Sequence, residues 1–162
     1  MDDLIKHTRR YTMKKKILII LVVVALIAAA VAWKIAPPSY SRTLNINWGI
    51  SLPVKALCEQ VYEKDSGSSF HGDGIRYHVF SYEYEDYIDL MFAWVGTEFT
   101  TLRDGSYSEA AAAWLDEIGV PKDQRPDYEN CAYWYKAQKD NSELIIFWDN
   151  NLNRLYIVES FL

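Results

Sequence analysis

Apolar residues follow different rhythms in different parts of this chain, and each rhythm predicts an element. Residues 17–33, ILIILVVVALIAAAVAW, are apolar without a break, and beyond Lys34 the pair Ile35-Ala36 extends the run to Pro37-Pro38. Twenty residues at about 1.5 Å of rise each cover about 30 Å, the hydrocarbon thickness of a bilayer. Segment 17–36 therefore reads as a transmembrane helix, with Trp33 suited to the interface and Lys34 close enough to the end to snorkel. The next rhythm is alternation. Leu44, Ile46, Trp48, Ile50 and Leu52 are apolar, with Asn45, Asn47, Gly49 and Ser51 between them. Period two predicts a half-buried strand that Pro53 ends.

Residues 54–63 fit two templates. Val54, Leu57, Cys58, Val61 and Tyr62 make a helical stripe with Pro53 in its first turn, yet the short length also fits a strand leading into a Ser-Gly turn. EKDSGSS, residues 63–69, is a turn by composition. Residues 75–84 are rich in β-branched and aromatic side chains and read as a strand. Asp86 could cap a short helix over 87–95, a run that fits a buried strand equally well. Ser106 and Glu109 form an S-x-x-E capping box before the stripe Ala111, Trp114, Leu115 and Ile118. Gly119 and Pro121 stop that helix. In the C-terminal third, 131–138, 143–148 and 154–161 read as strands joined by KDNS and DNNLN, whose Asn and Asp tolerate positive φ.

The predicted architecture is α+β: an N-terminal transmembrane helix, then one small domain with an antiparallel sheet, a C-terminal β-meander and at least one packed helix. The expected divisions are a basic cytoplasmic N-terminus (1–16), the membrane helix (17–36), a stiff linker (37–43) and an extracytoplasmic domain (44–162). Residues 37–162 are 126 in number, enough for one ordinary domain with a real core.

Charge orients this arrangement. Seven of the 17 Lys and Arg lie in residues 1–36, against two of the 22 Asp and Glu. The remainder therefore holds ten bases and twenty acids, a net charge of −10. The positive-inside rule leaves the basic end in the cytoplasm and residues 37–162 outside. Ala28-x-Ala30 and Ala30-x-Ala32 also match a signal-peptide cleavage pattern, which would yield a secreted form. The long apolar run and long charged lead favour a retained anchor. An acidic domain repels phosphate backbones, so nucleic acid is not an expected partner, whereas a basic protein or peptide is. The aromatic content, 15% of the chain, exceeds what a small core needs and points to rings on a contact surface or a second packed face.

Outside the membrane the two cysteines, Cys58 and Cys131, permit a disulfide in an oxidising compartment or two buried thiols. Bridging 73 residues would contribute about 4 kcal/mol in the chain-entropy treatment.

Candidate chemistry gathers at FHGDG. His71 and Asp73 are two apart, so in an extended segment they point the same way and offer part of a metal site or an Asp-oriented base. That pair centres the alternative reading, an extracytoplasmic hydrolase or metal-dependent enzyme completed by Glu83, Glu85, Asp86 or Asp89. Turn chemistry explains the same residues, since Gly72 and Gly74 permit positive φ and Asp73 bonds its own turn. No G-x-S-x-G, phosphate-cradling Gly loop or H-E-x-x-H occurs, and neither cysteine has a nucleophile context, so no catalytic residue, metal or small-molecule cofactor is expected. The run EYEDYID interleaves Glu83, Glu85, Asp86 and Asp89 with Tyr82, Tyr84 and Tyr87. Rigid rings with steering carboxylates suit a basic partner; a solvated strand end with inward tyrosines is the plainer account. The expected binding set is His71, Asp73, Tyr82, Tyr84, Glu85 and Tyr87.

At FHGDG followed by an aromatic strand, and at the closing hairpin LIIFWDNNLNRLYIVE, the chain resembles small bacterial membrane-anchored proteins of unknown function. The likeness covers much of residues 45–162. It implies an extracytoplasmic domain and a strand-like segment before the FHGDG motif, and it transfers no activity. The functional expectation is an accessory or inhibitor-type module that binds protein or peptide.

Overall fold

The computed structural model describes residues 2–35, 39–52, 57–67, 73–84, 100–102 and 107–162. The chain divides into two units, Met1–Ala36 and Pro37–Leu162. The first is a single helix, α1 (Asp2–Ile35). Its Lys15–Trp33 window has a mean hydropathy of 2.8 and none of it is buried within the protein. By length and composition α1 can cross a membrane, and a signal sequence would have the same character.

The second unit is an α+β domain. It opens with α2 (Ser39–Trp48), which corrects both the expected 37–43 linker and the expected strand from Leu44. Leu44 and Trp48 are common to period two and to a four-residue helical repeat, so alternation alone does not separate the templates. Tyr40 and Ile46 decide it. Tyr40 is buried with Leu44 and Trp48, one turn apart each, while Ile46 is 72% exposed. Gly49 then takes φ 76°, a left-handed conformation that ends the helix, and its N–H bonds Asn45 O at 2.9 Å. Only beyond it is the alternation that of an extended chain, with Ile50 and Leu52 buried. The Leu52 N–H donates to Ser41 Oγ at 2.9 Å, tying this segment back to the start of α2.

The strands are β1 (Cys58–Asp65), β2 (Gly74–Tyr82), β3 (Thr100–Leu102), β4 (Ala132–Ala137), β5 (Glu143–Asp149) and β6 (Arg154–Phe161). They form one antiparallel sheet in the order β1-β2-β6-β5-β4-β3. From Cys58 onward the ambiguous segment is thus a strand, and the C-terminal meander lies where the turn chemistry placed it. Asn141 (φ 64°) and Asn153 (φ 48°) supply the positive φ of its two turns. The expected element at 87–95 lies outside the described residues.

Ser66 and Ile75 pair at the mouth of the β1–β2 hairpin. Ser66 N–H bonds Ile75 O at 2.9 Å, and Ile75 N–H returns to Ser66 Oγ at 3.0 Å. Gly74 has φ 140°, and a Cβ there would lie 2.2 Å from Ser66 Oγ, so this position requires glycine.

The helix α3 (Ser108–Glu117) starts two residues after the expected cap. Tyr107 occupies the N-cap without a side-chain hydrogen bond, so the Ser106 capping box is not what begins it. Gly119 closes it as expected, its N–H bonding Asp116 O at 3.0 Å. Strand side chains alternate between faces, so both faces of the sheet are available for packing. Phe80, Tyr82, Leu144, Ile146, Trp148, Leu155 and Ile157 meet Tyr40, Leu44 and Trp48 of α2. Ile75, Tyr77, Val79, Ile145, Phe147, Tyr156 and Val158 meet Ala111 and Leu115 of α3. This two-sided burial explains why LIIFW in β5 is a continuous apolar run rather than an alternating one.

Candidate functional site

Two groupings of polar and aromatic side chains stand out, one packed against α2 and one open. The packed grouping lies where α2 meets β2 and β6. Sheet register sets Arg76 opposite Glu159 and His78 opposite Ile157. Glu159 is completely buried and accepts hydrogen bonds from Trp48 Nε1–H at 2.6 Å and from the Tyr40 hydroxyl, both on α2. Burial raises its carboxyl pKa, while those two donors and the nearby Arg76 act in the opposite sense. The His78 ring stacks on Tyr40 with centroids 3.6 Å apart. Burial, reinforced by the Arg76 charge, pushes His78 down to about 4, with Asp65 opposing. The His78 Nδ1 makes no hydrogen bond and lies 3.9 Å from Glu63 Oε2. Arg76 rests over the Phe161 ring at 4.6 Å. These are the residue types of an active site, yet Tyr40 of α2 stacks on His78 and, with Trp48, clasps Glu159. Tyr40 and Trp48 spend their donors on holding the helix to the sheet.

The open grouping is a cleft of about 580 Å³ on the α3 side, lined by Ser108, Tyr128, Glu129, Asn130, Tyr133 and Asn150, with Cys131 also bordering it. Short-range carboxylate bonds shape its walls. Asp127 accepts from Glu129 N–H at 3.3 Å and from Asn130 Nδ2 at 2.8 Å, curling the 127–130 turn. Asp149 accepts from Asn151 and Leu152 N–H at 2.8 and 3.1 Å, which sets the β5–β6 turn that presents Asn150. Tyr128 meets Phe147 edge-on at 5.3 Å.

Next to the cleft, Tyr107 stacks flat on Tyr135 at 4.1 Å and meets Tyr133 edge-on at 6.3 Å. The Tyr135 hydroxyl donates to Glu143 Oε1 at 2.5 Å, and burial together with that carboxylate pushes the phenol up to about 12. The Cys131 thiol is likewise pushed up to about 12, first by burial and then by Asp149 and Asp127, which disfavours its thiolate.

The expected site residues fare unevenly. His71, Glu85 and Tyr87 lie outside the described residues. Asp73 is exposed at the mouth of the β1–β2 hairpin. Tyr84, beyond the end of β2, is 55% exposed, but Tyr82 is buried against Trp148 and offers no contact surface. The strand ends at Tyr82, whose even-numbered register turns it toward α2 with Phe80. The Cys58–Cys131 disulfide is not formed. Cys58 belongs to the α2-side core and Cys131 packs against the α3-side core, so the sheet separates them. Among the described residues no group of three or more His, Cys, Asp or Glu could hold a metal ion.

The open cleft escaped the sequence reading, although a signal was present. DYENCAYWY, residues 127–135, mixes carboxylates and tyrosines much as EYEDYID does. Comparison of the chain with protein-family models, curated proteins and solved structures gives no match.

Proposed function

We propose that this chain is a single-pass membrane protein whose acidic α+β domain, on the far side of the membrane from the basic N-terminus, binds a basic protein or peptide as an accessory or inhibitor-type module. One observation supports this above the others. The groups suited to chemistry are engaged in packing, His78 stacked on Tyr40 and Glu159 clasped by Tyr40 and Trp48 of α2, whereas the accessible features are half-buried tyrosines beside carboxylates. Tyrosine supplies rigid contact area at low entropic cost, and carboxylates steer a cationic partner. The net charge of −10 over residues 37–162 adds long-range attraction for such a partner. The apolar α1, preceded by basic residues, supports a retained anchor in that orientation.

The test has two arms on the full chain in its native membrane. Protease added to intact cells should remove the C-terminal domain and spare the N-terminus. Crosslinking at low salt should recover a basic partner whose yield falls as salt rises. Protection of the domain from external protease, or a crosslinked yield indifferent to salt, would contradict the reading.

A further inference from the structure

The open cleft and the tyrosine stack beside it share one chemistry, and β4 contributes to both, through Tyr133 and Tyr135. Among the described residues lining the cleft, Glu129 is the charged side chain and there is no Lys or Arg. A carboxylate in such a lining repels an anion and favours a cation. Ser108, Asn130 and Asn150 give the walls hydrogen-bonding capacity, which an extended backbone can use and a purely apolar ligand cannot. The second element is the flat Tyr107–Tyr135 pair, with Glu143 hydrogen-bonded to the Tyr135 hydroxyl. Half-exposed aromatic faces beside a carboxylate are suited to a guanidinium or ammonium group.

Spacing joins the two. Tyr133 borders the cleft, and Tyr135 bears the stack two residues further along β4 on the same face. That step is about 7 Å, the distance between alternate side chains of an extended peptide. Building on the proposed basic-partner function, we infer that this face binds an extended peptide segment with two cationic side chains two residues apart. One enters the cleft beside Glu129 and the other lies over the Tyr107–Tyr135 stack beside Glu143.

The experiment uses the full chain in detergent micelles and a fluorescently labelled peptide with two arginines separated by one glycine. Binding should weaken with salt. Moving the arginines to adjacent positions, or replacing them with glutamate, should reduce it. Glu129→Gln should weaken binding roughly tenfold, the loss of one charge-assisted contact. Tyr135→Ala should weaken it about two- to fivefold. Glu59→Gln, an exposed carboxylate on β1, should leave binding unchanged. Zero-length coupling of the matching lysine peptide should mark Glu129 in the unmodified protein, a readout independent of how any variant folds.

Salt-sensitive binding that is unchanged by Glu129→Gln and Tyr135→Ala would refute this placement while leaving the basic-partner function intact. Failure of the unmodified protein to bind the arginine peptide, while crosslinking still recovers a basic partner in a salt-sensitive manner, would refute the inference alone; loss of that crosslinking as well would remove both. Preferential binding of an uncharged N-acetylglucosamine trimer would overturn the assignment in favour of a glycan site.

Discussion

Acidification should loosen the α2 face of the domain, and His78 is the group that makes this measurable. Its ring is stacked on Tyr40, its side chain is only 14% exposed, and its Nδ1 makes no hydrogen bond. Burial and the Arg76 charge lower its pKa from 6.5 to about 4. A depressed histidine contributes stability that is fully present above the unfolded pKa. That contribution falls away between pH 6.5 and pH 4, because the unfolded chain takes up the proton first. A shift of roughly 2.5 units corresponds to about 3 kcal/mol, a large part of a typical domain's stability.

Glu159 works in the opposite sense. Its pKa is raised by burial, so its contribution is present at low pH and declines as pH rises through its folded value. Glu63 and Asp65 on β1 and Tyr40 on α2 also face this region. The histidine is isolated by comparing the wild type with His78→Phe, which keeps a ring against Tyr40 and removes the titration. Urea unfolding of the full chain in micelles, followed by tryptophan fluorescence across this pH range, gives the two curves. The wild-type midpoint should fall by about 2 M more than the variant's, for an m-value of about 1.5 kcal/mol/M. Parallel curves for the two proteins would refute the assignment of the depressed pKa to His78.

Other consequences follow from packing. Trp48→Phe leaves buried Glu159 without its indole donor and should cost about 1–3 kcal/mol in unfolding free energy; a loss under about 0.5 would show that the indole contact does not anchor α2. Leu115→Ala, at a fully buried position of α3, should cost about 2–5 kcal/mol by the same assay, and a cost near zero would deny the α3-side core. Gly74→Ala meets both a positive φ and the Ser66 hydroxyl, so a cost of about 1–3 kcal/mol is expected; a neutral result would mean that the hairpin mouth adapts freely. Reductant should leave the thermal midpoint unchanged, since Cys58 and Cys131 form no disulfide, and a drop of several degrees on reduction would show a bridge after all.

Several elements were legible because their signals are local. The apolar run of α1 requires no partner to be recognised, and β2 and the meander announce themselves through β-branched content and through Asn and Asp at the turns. The stripe and glycine stop of α3 likewise lie within a dozen residues, although its start does not follow the Ser106 box. In α2 the local signal was ambiguous. Leu44 and Trp48 satisfy both periods, and the deciding Tyr40 lay in a segment that looked like linker.

The candidate site depended on tertiary structure. Trp48 meets Glu159 across 111 residues of chain, and Tyr40 meets it across 119, so no window of sequence contains the contact. Composition indicated that a carboxylate was present; the sheet register and the crossing of α2 decided that it would be buried and clasped. The cleft follows the same rule, since Ser108, the 128–133 segment and Asn150 converge only after α3 and the β5–β6 turn pack. Periodicity and charge are properties of neighbours along the chain, and they determined α1, β2, the strands of the meander and the acidic character of the domain, but not α2. A pocket or a buried polar contact is a property of neighbours in space, and only the packing of both helices on the sheet could decide it.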